Sequence, residues 1–180
     1  MNYEFVQHKH RFAAWCAATA SSASPKCRFT VRKAFELLEE IDFARQVQAQ
    51  SWNDCRSFDE WHGKCCSALI DQANLRGVGG FSYGVAAKMV NCYVKAFYLG
   101  DEKVLSVAHP PIDRLLLSGF IKSNVGNRSG IWRKYRDKGW STFTREEYLE
   151  LIGQIRSNDD FRLAMWKAER HWRGFRDGNC

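Results

Sequence analysis

Between Ser82 and Leu99 the apolar side chains Val85, Met89, Cys92, Tyr93 and Ala96 recur at helical intervals, directly behind a serine of the kind that caps helices. The pattern repeats along the chain. An alanine-rich stretch from Phe5 to about Ala20 carries Phe12, Trp15 and Cys16 at loosely helical spacing, until Ser21 to Pro25 breaks it. Thr30 is a candidate N-cap for a helix whose stripe is Val31, Ala34, Phe35, Leu38 and Ile41. Ser57-Phe58-Asp59-Glu60 has the form of a capping box and predicts a helix to about Ala73; Thr144-Arg145-Glu146-Glu147 predicts another through about Ile155. A last helix is expected from about Asp159 through Trp172. No β-hairpin signal and no internal repeat interrupts this series, so the chain reads as all-α.

The 180 residues suffice for one domain with a real core, and 45% apolar against 26% charged residues is ordinary globular usage. The reading is a single helical domain over 1–180, with lobes at 1–73 plus 120–180 and at 74–119. No apolar run approaches the roughly 20 residues of a membrane span, and the first residues lack signal-peptide form, so a cytoplasmic location with no membrane partner is expected. The odd set of seven cysteines, none in a C-x-x-C pair, reads as reduced thiols. Five scattered histidines offer no metal-ligand spacing beyond the weak His8-x-His10, so no metal is expected.

A formal net charge of +7 suits a polyanionic partner. Much of the excess lies in Arg128, Arg133, Lys134, Arg136 and Lys138, interleaved with Trp132, Tyr135 and Trp140. Such a stretch holds phosphates and stacks on bases, but a solvated amphipathic helix has the same appearance.

The region from Leu75 to Leu117 is the most informative: a Gly-rich turn, a helix carrying Lys88, a polar connection, and a Pro-Pro turn read as the first turn of a helix that presents Asp113. Within this region, about a quarter of the chain, stand Leu75-Arg76-Gly77-Val78-Gly79, Lys88-Met89-Val90-Asn91-Cys92 and Pro110-Pro111-Ile112-Asp113. They resemble the segments of the helix-hairpin-helix DNA glycosylases with a Gly/Pro-rich loop and an aspartate, in particular the lysine-bearing 8-oxoguanine branch. Phe81 to Ala87 separate the hairpin glycines from Lys88, so the turn is either a longer hairpin or lies at Gly84 to Ala87.

The resemblance implies two helical lobes with a helix-hairpin-helix-like element, and excision of a modified base from duplex DNA after the nucleotide is flipped out. It implies Lys88 as nucleophile and Asp113 as activator and charge stabiliser, with no cofactor. An amine attacks the anomeric carbon to give a Schiff base, and a carboxylate steadies the positive charge that builds on the sugar. Gly77, Gly79 and Gly84 are then candidates for backbone contact with phosphate, joined by Arg128, Arg133 and Lys134. Tyr83 and Trp132 are candidates to stack on the extruded base, and His109 either touches substrate or caps its turn. Two rivals stand beside this reading: a non-catalytic basic DNA-binding module, and an interaction protein that docks a partner through an aromatic C-terminal helix with Trp166, Glu169 and Trp172.

Overall fold

The computed structural model describes residues 3–22, 24 and 26–174, and among them the chain is helical with no strand. In order the helices are α1 (Phe5–Ser21), α2 (Val31–Glu40), α3 (Phe43–Gln48), α4 (Cys55–Leu75), α5 (Tyr83–Phe97), α6 (Glu102–Val107), α7 (Arg114–Lys122), α8 (Ser129–Lys138) and α9 (Arg145–Arg156). A 3₁₀ helix, Met165–His171, follows.

Helix α5 is the axis of the molecule. Ser82 caps it by accepting from Val85 N–H at 3.2 Å, and residues on every side of it, from Val85 through Val94, are buried. Helix α1 lies along it and contributes the small residues Ala13, Ala14, Ala17 and Ala18, which let the two backbones come close. Helices α4 and α9 and the 140–142 turn cover its other sides. The buried apolar residues form one continuous core that draws on 1–73, 74–119 and 120–180 alike.

Three caps read from sequence are present: Thr30, Ser82 and Thr144 each accept an N–H from three residues on. The start of α4 differs. Asp54 accepts from Ser57 N–H at 2.7 Å and closes a capping box one turn earlier than the predicted one, so Ser57 to Glu60 lie inside the helix. Helix α4 ends in a Schellman motif, with Gly77 N–H donating to Asn74 O and Val78 N–H to Ala73 O while Gly77 sits at φ +67°. Residues 76–82 then join α4 to α5, and Gly84 to Ala87 are helical rather than a turn.

Two further expectations are corrected. Pro110 and Pro111 precede α7 instead of forming its first turn, and Asp113 is its N-cap. The expected helix from Asp159 through Trp172 is instead a series of turns followed by a 3₁₀ helix. Its backbone lies against α7 so closely that a Cβ on Gly119 would stand 1.8 Å from the His171 carbonyl oxygen. That contact outweighs the weak local preference for an α-helix.

Candidate active site beside the central helix

One face of α5 carries Lys88, Cys92 and Lys95, spaced i, i+4 and i+7. This face lines a cleft of about 460 Å³ together with Phe12, Cys16 and Ala20 of α1. Pro111 and Asp113 come from the turn before α7, and Glu169 and Trp172 from the end of the described chain. The walls are mostly apolar, and the polar groups are two lysines and two carboxylates. A smaller depression of about 190 Å³ between α1, α2 and α3 is lined by His10, Phe35 and Tyr93 and contains no lysine.

Lys88 Nζ stands 3.7 Å from Asp113 Oδ2, with side chains only 10% and 17% exposed, and 4.2 Å from the centre of the Trp140 ring. Asp113 is held by the fold itself: Oδ1 accepts from Leu116 N–H at 2.8 Å, and Oδ2 accepts from the Trp172 indole N–H at 2.9 Å. Lys95 and Glu169 form a second ion pair in the same cleft. Burial, and then the nearby Asp113 charge, push the Glu169 carboxyl up, against the pull of Lys95. Burial likewise pushes the Cys92 thiol to about 12, so it stays a neutral thiol and not a nucleophile.

Behind this cleft a polar chain, buried at His109, Tyr148 and Asn91 and half-buried at Asp59 and Arg156, fixes the Pro-Pro turn. Asp59 accepts two bonds from Arg156, at 2.8 and 2.9 Å, and lies 2.7 Å from His109 Nε2. The other ring nitrogen of His109 is 3.0 Å from the Tyr148 hydroxyl, which accepts from Asn91 Nδ2 at 2.8 Å. The acceptor at Asp59 places the His109 proton on Nε2, leaving Nδ1 to accept from Tyr148. Asn91 also donates to the Pro110 carbonyl at 3.3 Å. Burial pushes His109 down in pKa, and His62, stacked on the Tyr148 ring, down further.

The structure thus brings Lys88 and Asp113 together and scatters several other candidates. His109 is buried in the polar chain and neither caps the turn nor faces the cleft. Tyr83 is buried beside His62 and Tyr148. Trp132 is fully buried, its indole N–H donating to Val125 O at 2.9 Å and its ring packed on Phe120, so neither face is presented for stacking. The space in front of Gly84 is filled by protein: an added Cβ would lie 1.8 Å from the Trp140 carbonyl oxygen. Gly77 terminates α4 with its N–H spent on Asn74, whereas Gly79 is exposed with open space around it. Arg128 ties down the end of α9 through Gln154 O at 2.9 Å. Arg133 and Lys134 stand exposed on α8, Lys134 paired loosely with Glu150 at 3.7 Å.

In the sequence, Glu169 and Trp172 enter only through the rival reading of a docking helix, whereas they line the cleft, and the part played by Asp59, Asn91, Tyr148 and Arg156 is missed. The available signal was polar: Asp59, His62 and Cys66 recur at i, i+3 and i+7 on the otherwise apolar face of α4. The described cysteines are free thiols; Cys180 lies outside the described residues. Among the described residues no helix is long and apolar enough to cross a membrane. Comparison with protein-family models, curated proteins and solved structures gave no match to this chain.

Proposed function

We propose that the protein is a DNA glycosylase with abasic-site lyase activity, in which Lys88 is the nucleophile and Asp113 stabilises positive charge on the sugar. The observation that carries this reading is the 3.7 Å approach of Lys88 Nζ to Asp113 Oδ2 in a cleft of about 460 Å³. One bound nucleotide can meet both groups at that separation. Lys88 Nζ bonds to C1′ through its lone pair and sheds a proton to solvent, while the glycosidic bond breaks and its electron pair leaves with the base; opening of the sugar ring then gives a Schiff base. This chemistry needs no metal or organic cofactor. Asp113 is oriented before substrate arrives, because a backbone N–H and an indole N–H both point at it.

The DNA duplex with its target base flipped out is the proposed partner, and the basic face of α8 with Arg133 and Lys134 is the proposed phosphate contact. Helix α8 runs directly into the 140–142 turn, whose Trp140 ring lies under Lys88. Phosphate contact through the glycines narrows to Gly79, since Gly77 and Gly84 serve the protein's own packing.

Borohydride trapping tests the reading. The wild-type protein should cross-link to DNA bearing an abasic site, Lys88→Ala should not, and Asp113→Asn should bind DNA but react far more slowly. The non-catalytic DNA-binding module is the second reading, favoured by the fact that Asp113 already serves as helix cap and indole acceptor. DNA binding without trapping would select it.

A further inference from the structure

The two carboxylates of the cleft are bound to the fold in different ways. Both oxygens of Asp113 are engaged: Oδ1 by the Leu116 N–H, and Oδ2 by the Trp172 indole, with Lys88 facing it. A group so fully engaged is suited to hold charge in place and poorly suited to exchange protons. Glu169 meets the fold through Oε2, which accepts from Lys95. It lines the same cavity as Lys88. Lys95 lies two helical turns beyond Lys88, about 10 Å along the axis of α5, and the wall between them is formed by Cys92 and the apolar Ala96 and Pro111. Lys88, Asp113 and Glu169 thus share one cavity, and a base extended along its apolar wall from a sugar at Lys88 and Asp113 meets Glu169.

We infer that Glu169 is the proton donor of the proposed reaction, protonating the departing base. Lys88 Nζ forms its bond to C1′, the C1′–N bond breaks with its electron pair on the base, and the carboxylic acid of Glu169 protonates that base. The surplus proton on Nζ leaves to solvent in the open cleft, and the Glu169 carboxylate takes one back from solvent. This inference rests on the glycosylase reading and adds a residue to it.

Burial and the Asp113 charge both raise the Glu169 carboxyl, which favours the acid form that donates. The titratable and charged groups lining the two cavities it borders are Lys95, Lys88 and Cys92 on α5, Cys16 on α1, Asp113 before α7, and Lys167 and Arg170 beside it in the 3₁₀ helix. Lys95 is the one that pulls the carboxyl back toward its ordinary value.

The test uses the full chain and three substrates: DNA with an abasic site, DNA with a neutral damaged base (uracil, hypoxanthine and 8-oxoguanine in turn), and DNA with 7-methylguanine, whose cationic base leaves without a proton. Glu169→Gln should trap on the abasic site at close to the wild-type rate and release 7-methylguanine comparably to wild type. It should lose roughly 100-fold or more in excision of the neutral base. Wild-type excision of that base should fall as pH rises through the Glu169 range, and Lys95→Met should move this fall to higher pH.

Equal loss on all three substrates would mean that Glu169 only supports the fold and would overturn the inference. So would an unchanged rate on the neutral base, or a wild-type protein that traps on abasic DNA yet excises no neutral base. In each of these cases the Lys88 reading survives. Absence of wild-type trapping removes both.

Discussion

The Trp172 indole N–H donates to Asp113 Oδ2 at 2.9 Å, the same oxygen that faces Lys88 Nζ at 3.7 Å. The end of the described chain thus returns to the middle of the molecule and aims the carboxylate at the amine. Trp172→Phe keeps most of the ring but removes this donor, so Asp113 should be less well oriented. Abasic-site trapping is expected to slow by roughly tenfold, about the worth of one charge-assisted hydrogen bond, with DNA affinity little changed. Quenched-flow trapping beside a binding titration measures both, and an unchanged trapping rate would separate the indole from the chemistry.

Gly119 sets how closely that segment approaches α7. A methyl group there would stand 1.8 Å from the His171 carbonyl oxygen. Gly119→Ala should push the 3₁₀ helix outward, lowering stability by about 1–3 kcal/mol in urea and slowing trapping as well. Gly79→Ala is the control: the position is exposed with nothing within 4 Å, and a change of no more than about 0.5 kcal/mol is expected.

The polar chain behind the site makes stability depend on pH. Burial holds His62 and His109 below their usual value of 6.5, so the unfolded chain binds protons that the folded chain refuses. Stability is therefore full above about pH 6.5 and falls as the pH drops below it. Burial alone would raise Asp59, but the bonds from Arg156 and His109 prevail and hold it well below the ordinary 3.8, which adds a second loss as pH falls below that value. The urea midpoint should be distinctly lower near pH 5 than near pH 7.5. His62→Gln should reduce the difference, and an identical midpoint at the two pH values would contradict this account.

Arg133 and Lys134 have exposed positions on α8, and the Lys134–Glu150 pair is too open to stabilise the fold measurably. Replacing both by Gln should leave the urea midpoint unchanged. If they contact phosphate, the slope of log K against log salt should shrink by about 1–2 for duplex DNA. A full slope in the double variant would move the DNA surface elsewhere.

The predictions that held from sequence are those whose physics is local. Thr30, Ser82 and Thr144 each cap a helix by bonding an N–H three residues on, and that bond depends on nothing distant. The helical class and the stripe of α5 follow equally from neighbours along the chain. Asp113 was legible as a residue at a helix start, but its partners were not. Lys88 and Trp172 come from 25 residues before it and 59 after it, and their meeting depends on how α1, α5 and α7 pack. Trp132 shows the same limit: interleaved with arginines and lysine it resembles a stacking residue, yet α8 turns that ring inward and leaves the charges outside. Gly84 reads as a turn or phosphate-binding glycine, and only the crossing of the 140–142 segment reveals that its missing side chain makes room for a carbonyl. Local hydrogen bonding and hydrophobic periodicity are encoded within a few residues; which side of a helix meets which partner is decided by close packing across the whole chain.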